Sequence, residues 1–263
     1  MRQYRTALVT GASSGIGRSL AVGLARSGTL VVLAARRQAL LEEVAAEILR
    51  TGGRALVAPL DVADTEATVA RLRELDAQLE GLDLVVANAG VGVGGPTGGP
   101  TYAWEAVRGA LHTNLCGAAA TLTAVLPQMV ARGRGHLLAI SSLASFGALP
   151  GSASYCTPKA GLSMLTECLR LDTLHTGVAV TTVHVGFVKT PMVEKSTIPL
   201  PLLWSSERAA AHILQRLPLA PRVIDFPWPM VLLTKLLAAL PTAVRDAIMR
   251  HQPWVDEQGP AQP

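Results

Sequence analysis

The sequence predicts a three-layer α/β/α fold built on a doubly wound parallel sheet of about seven strands. Three observations carry that prediction. Short apolar runs rich in β-branched residues alternate with stretches whose apolar residues recur every three or four positions. The short runs are apolar at consecutive positions rather than every second one, as expected of strands covered by helices on both faces. The first run ends in a glycine pattern, residues 10–17, of the kind that joins a strand to a helix at a ligand site.

In chain order, the expected strands are residues 7–10, 30–34, 55–60, 84–87, 136–140 and 178–185. The expected helices are residues 16–26, 38–50, 65–79, 104–131 and 154–174, each linking neighbouring parallel strands by a right-handed crossover. Residues 90–100 hold six glycines and two prolines, which forbids a regular element and predicts a loop at the carboxyl end of the fourth strand. Open α/β sheets bind ligands at that edge. Residues 191–206, irregular and rich in proline and leucine, read as an apolar wall or lid. One domain over 1–251 is expected, followed by a polar, three-proline tail at 252–263.

Composition narrows the function classes. The 263 residues are 49% hydrophobic and 16% charged, against about 25% charged in an average domain. Disorder and small disulfide scaffolds are excluded, because a chain of this length buries roughly 70–75% of its unfolded surface. The net charge of +4 is scattered, with no basic stripe for nucleic acid. Cys116, Cys156 and Cys168 have neither zinc-ligand nor disulfide-framework spacing, so no metal site is expected and a cytoplasmic location is. No secretory signal is expected, since residues 1–5 run straight into the first strand. No window reaches the roughly 18 uninterrupted apolar residues of a spanning helix.

The loop Gly11-Ala12-Ser13-Ser14-Gly15-Ile16-Gly17 supplies a tight turn, close approach to a pyrophosphate, and helix–strand packing. The amides opening the following helix then face the phosphates. Tyr155 and Lys159 are one helical turn apart and share a face, so an ammonium, together with the oxidised nicotinamide ring of a bound dinucleotide, is expected to favour phenolate and bring the tyrosine towards working pH. Tyr155 then serves as acid or base, and Ser142, at a strand end, holds the substrate oxygen. Asn114, inside an apolar helix, needs a hydrogen-bond partner.

With Thr10-Gly11-x-x-x-Gly15-x-Gly17, Asp61-Val62, Asn88-Ala89-Gly90, Asn114, Ser142 and Tyr155-x-x-x-Lys159 in order, residues 5–225 resemble the classical short-chain dehydrogenase/reductase family. The resemblance implies a Rossmann-type fold and hydride transfer to or from a nicotinamide cofactor. It implies Asn114 at a proton-relay water, and Lys159 on the nicotinamide ribose. It also implies Gly186, Val188 and Thr190 at the carboxamide, where Val185 replaces the usual proline. Asn88, Ala89 and Gly90 are expected along the cofactor floor, and Asp61 and Val62 at the adenine.

An acidic residue about 20 positions beyond the glycines would grip NAD ribose. Position 36 is instead arginine, and Arg36 with Arg37 predicts NADP(H), Ser13 adding a hydroxyl to the 2′-phosphate. The expected walls, residues 91–100, 143–150 and 187–204, contain only Lys189, Glu194 and Lys195 as charges, so an apolar carbonyl or alcohol substrate is expected. Residues 226–250 should cover the pocket or a partner subunit, or else lie in a membrane interface with Trp228 and Lys235 at the water side. The helices 104–131 and 154–174 carry Leu122, Val125, Met129, Met164, Leu165 and Leu169 as expected subunit contacts of a homodimer or homotetramer. Two further classes stand beside an active oxidoreductase: a cofactor-binding sensor without turnover, and a membrane-surface enzyme acting on lipids.

Overall fold

The computed structural model describes residues 2–92, 103–194 and 199–250. Most of the glycine-rich loop 90–100, Lys195 in the expected wall and the tail 252–263 lie outside the described residues.

Seven parallel strands form one sheet: β1 (Thr6–Thr10), β2 (Leu30–Ala35), β3 (Arg54–Pro59), β4 (Leu84–Ala87), β5 (Gly135–Ser142), β6 (Val178–Val185) and β7 (Val223–Phe226). Their order is β3-β2-β1-β4-β5-β6-β7. The winding reverses between β1 and β4, and the chains leaving their carboxyl ends diverge to opposite faces of the sheet, where a crevice is expected. Helices α1 (Gly15–Arg26) and α2 (Gln38–Arg50) cover one face, and α3 (Thr65–Gln78) covers the other. The continuous apolar runs follow from that double cover: β1, β4 and β5 are buried at every position. Leu20, Leu41 and Ile48 fill one interface, while Leu72, Leu122 and Met129 fill the other.

The expected helix 104–131 is not uniform. It comprises α4 (Trp104–Leu111), a wider π segment (His112–Gly117), α5 (Ala118–Thr123) and α6 (Leu126–Ala131). A β-carbon at Gly117 would sit 2.5 Å from the Val62 carbonyl oxygen, so the π segment lies directly on the loop after β3. Among the described residues this run alone is long and apolar enough to cross a membrane, and half of that stretch is buried within the chain.

α7 (Ala153–Asp172) packs beside β5 and β6. The expected subunit contacts need correction: Leu122, Val125, Met129 and Leu169 are buried by this chain's own sheet, and Met164 is the most exposed of the six, at 65%. The chain then passes through a two-residue ladder, Val188–Lys189 with Trp204–Ser205, into α8 (Ser206–Arg216) and β7. α9 (Trp228–Ala239) and α10 (Thr242–Arg250) close the described chain, and neither holds a fully buried residue.

Candidate active site

The carboxyl ends of β1, β4, β5 and β6 deliver the site, with the first half of α7. Gly11 and Gly15 have positive φ, +68° and +55°, which glycine adopts without strain. A β-carbon on Gly17 would lie 2.4 Å from both the Gly11 carbonyl oxygen and Asn88 Nδ2, so only glycine lets α1 start against this turn. Asn88 Nδ2 donates to Thr10 O at 2.9 Å, and Thr10 Oγ1 accepts from the Asn88 and Ala89 amides at 3.1 and 3.2 Å. Those bonds tie the ends of β1 and β4 together and set the floor of the crevice.

Ser14, which precedes α1, makes no capping side-chain bond, and the first turn carries no carboxylate. The orphan amides of that turn border a cavity of about 850 Å³. Every catalytic or cofactor residue assigned from sequence lines this one cavity except Gly17, which packs beneath it, and Asn114. At one end Arg37 Nη2 reaches Ser13 Oγ at 3.1 Å and Ser14 Oγ at 3.4 Å. Exposed Arg36 stands 4.0 Å from Asp61, whose other oxygen accepts from the Ala63 amide at 3.0 Å. Thr190 packs on the glycine turn, since a β-carbon at Gly15 would meet its Cγ2 at 2.8 Å.

Asn114 is buried in the π segment and bonds one neighbour through both ends of its amide. Its Oδ1 accepts from the Val91 amide at 2.7 Å, and its Nδ2 donates to Val91 O at 2.9 Å. The side chain therefore fixes the start of the loop after β4.

Ser142 ends β5, and its hydroxyl accepts from the Ala144 amide at 3.1 Å and hydrogen-bonds the Tyr155 phenol. Lys159 is 5% exposed, and its ammonium donates to Ile140 O at 2.8 Å while standing 5.9 Å from the Tyr155 ring centroid. Burial pushes the Tyr155 pKa up, and the Ser142 hydrogen bond only moderates the rise. Burial also pushes the Lys159 pKa down to about 8. Ser142, Tyr155 and Lys159 can hold a carbonyl oxygen and exchange one proton with it.

Sequence reasoning left the last wall among several alternatives. Met230, Thr234, Leu237 and Ala238 of α9, with Arg245 and Met249 of α10, line the same cavity. Trp228, Leu232, Leu233 and Leu236 of α9 are exposed. Lys235, expected at the water side, is exposed and is also tied to β7: its ammonium bonds Asp225 Oδ2 at 2.6 Å. Asp225 Oδ1 lies 2.7 Å from His184 Nδ1, His184 Nε2 lies 3.2 Å from Ser163 Oγ, and Ser163 Oγ lies 2.7 Å from Ser141 Oγ. No spacing rule could have joined these residues, which come from four elements.

Residues 5–199 match the family described as short chain dehydrogenase. An uncharacterized oxidoreductase of Myxococcus xanthus is 47% identical over 248 residues, covering 94% of this chain and 97% of that one. A fatty acyl-CoA reductase of Acinetobacter baylyi is 31% identical over 194 residues, covering 74% of this chain and 66% of that one. Among solved structures, an alcohol dehydrogenase from the archaeon Thermococcus sibiricus, complexed with 5-hydroxy-NADP, superposes with a TM-score of 0.74. It is 27% identical, and the match covers 84% of this chain and 94% of that chain. A strand order, a glycine turn and a Ser-Tyr-Lys cluster derived from the chain itself thus coincide with a matching family over most of its length, and the chain belongs to the classical short-chain dehydrogenase/reductase family, whose members use nicotinamide cofactors.

Proposed function

We propose that the chain is an NADP(H)-dependent oxidoreductase that interconverts the carbonyl and secondary alcohol of an apolar substrate, with Tyr155 as acid and base. The observation that carries this reading is the placement of Ser142, Tyr155 and Lys159 in one cavity with the glycine turn and the Arg36–Arg37 pair. The residues fit a phosphorylated dinucleotide. Uncapped amides of α1 face the position of a pyrophosphate, and Arg37, already on Ser13, and Arg36 supply charge for a 2′-phosphate. Gly186, Val188 and Thr190 line the far side, where the carboxamide would rest.

The bound cofactor would supply or accept the hydride at the substrate carbon. The chain's own residues handle the oxygen. Ser142 donates a hydrogen bond to it, and Tyr155 gives it the phenolic proton during reduction or takes the alcohol proton during oxidation. The Lys159 ammonium, dominant at pH 7 with a pKa of about 8, favours the phenolate left behind. Asn114 positions the loop at Val91 through both ends of its amide. The apolar wall from α9 favours a lipophilic substrate, and the similarity to a fatty acyl-CoA reductase agrees with it. The exposed leucines of α9 support a second reading in which the same enzyme works at a lipid surface. Exposed Met164, Leu171 and Leu174 on and just after α7 support a homodimer.

Tyr155→Phe tests the assignment, because the ring keeps its shape and loses only the hydroxyl. NADPH binding, read by fluorescence, should stay near wild type while carbonyl reduction falls about 10²–10⁴-fold. Wild-type turnover in that variant would overturn the mechanism.

A further inference from the structure

The cavity's polar groups are unevenly distributed, and one of them has no task in the chemistry above. Arg36, Arg37 and Asp61 stand at the end assigned to the cofactor, and Lys159 stands beneath Tyr155. The remaining charged group among the described lining residues is Arg245 of α10. It is half-buried, one helical turn from Met249, and shares the lining with Leu237 and Ala238 of α9.

Among the described residues no carboxylate pairs with its guanidinium and no acceptor receives its N–H groups. Its position is also unfavourable for the helix. Arg245 falls in the opening turn of α10, where no acidic residue is present and where the exposed amides already concentrate positive charge. A cation placed there, beside an apolar wall and without a counter-ion, is electrostatically incomplete until an anion arrives.

α9 gives the cavity a long apolar side. Met230 lies at the nicotinamide side, since a β-carbon on Gly186 would approach its sulfur to 3.2 Å. From Met230 to Ala238 the helix advances about 12 Å, and Arg245 follows beyond the turn at Leu240–Pro241 and lines the same cavity. That lining suits an elongated chain with a carbonyl at Tyr155 and an anionic group on Arg245.

We propose that Arg245 is a specificity-determining residue which receives the anionic end, a carboxylate or phosphate, of an elongated lipophilic ligand. The ligand's chain lies along Met230, Thr234 and Leu237. The planar guanidinium suits either oxyanion, because its paired N–H groups match two oxygens at once. The identity of the ligand as a substrate rests on the oxidoreductase reading above, whereas its binding does not.

The experiment is therefore a direct binding measurement, by calorimetry with and without NADP, of decanoate, decyl phosphate and decanol to the full chain and to Arg245→Gln and Arg245→Lys. Expected is a loss of decanoate or decyl phosphate affinity of about tenfold or more in Arg245→Gln, with decanol bound alike by both. Arg245→Lys should recover part of the loss, and the anion weakened more identifies carboxylate or phosphate. Equal affinity of wild type and Arg245→Gln for both anions overturns the proposal, as does an equal loss for decanol. A chain that shows this selectivity and yet reduces no carbonyl would leave the anion site standing and sink the oxidoreductase reading instead.

Discussion

Replacing Lys159 by methionine separates what the buried ammonium does for chemistry from what it costs the fold. Burial lowers its pKa from 10.5 to about 8, so keeping the charge inside the folded chain costs about 3 kcal/mol at pH 7. Methionine in turn forfeits the bond to Ile140 O at 2.8 Å, which lysine makes in either protonation state and which is worth about 2 kcal/mol. Methionine, of similar length and uncharged, should then stabilise the chain by about 1 kcal/mol at pH 7, roughly 3 °C in Tm. The pH dependence has a definite sign. At pH 7 the lysine is protonated both folded and unfolded, and the fold bears the whole penalty. As the pH rises through 8 the folded lysine releases its proton first, so the wild type gains stability until the unfolded lysine also loses its proton near 10.5. Between pH 7 and 9.5 the wild type should gain about 2 kcal/mol on the variant. Urea unfolding of both proteins at the two values measures this, and carbonyl reduction should be lost in the variant at either. A stability difference independent of pH would refute the burial argument, since Lys159 would then titrate as a solvated amine.

Other outcomes follow from single contacts. Arg36→Asp should turn preference from NADPH towards NADH, compared through kcat/KM for the two cofactors; a wild type that uses both equally would contradict the role given to this residue. Gly17→Ala places a β-carbon against the Gly11 carbonyl and Asn88, and thermal unfolding should show a loss of about 1–3 kcal/mol together with weakened cofactor binding. Asp225→Asn removes the partner of Lys235 and should speed amide exchange across α9. In the wild type burial alone would raise the Asp225 pKa, but hydrogen bonds from His184 and Lys235 outweigh it and hold it low. Its contribution is therefore complete above the ordinary 3.8 and disappears as pH falls through the lower folded value, which exchange measured across acidic pH would follow.

Where burial on both faces left a continuous apolar run, the strand was legible: β1, β2, β4, β5 and β6 fall within two residues of expectation. β7 escaped because it is a four-residue edge strand, Val-Ile-Asp-Phe, whose aspartate serves His184 and Lys235 rather than the sheet. The π segment escaped because an extra residue in a turn leaves the apolar spacing of an otherwise helical stretch almost unchanged. Site residues were legible where backbone geometry demands one residue type, as at Gly11, Gly15 and Gly17, or where spacing puts two groups on one helix face, as at Tyr155 and Lys159. The role of α9 was not, because a helix apolar on all sides has no periodicity to say which face turns inward. Nor was the direction of the Tyr155 shift, which depends on how deeply the fold places the phenol and on the Ile140 carbonyl that receives the lysine.

The hydrogen-bonded line from Ser141 through Ser163, His184 and Asp225 to Lys235 begins on β5, one residue before Ser142, and ends on α9. Its outer half lies beyond the matched family stretch, which ends at residue 199, as α9 and α10 do. A gene fragment encoding residues after Phe226 could be exchanged for that of a relative without touching Ser142, Tyr155, Lys159 or the glycine turn. Such a graft would need a lysine at position 235 to fasten onto Asp225, and it would carry its own choice of ligand with it. Diversification of what such enzymes accept can then proceed at one end of the gene while the machinery for moving hydrogen stays fixed at the other.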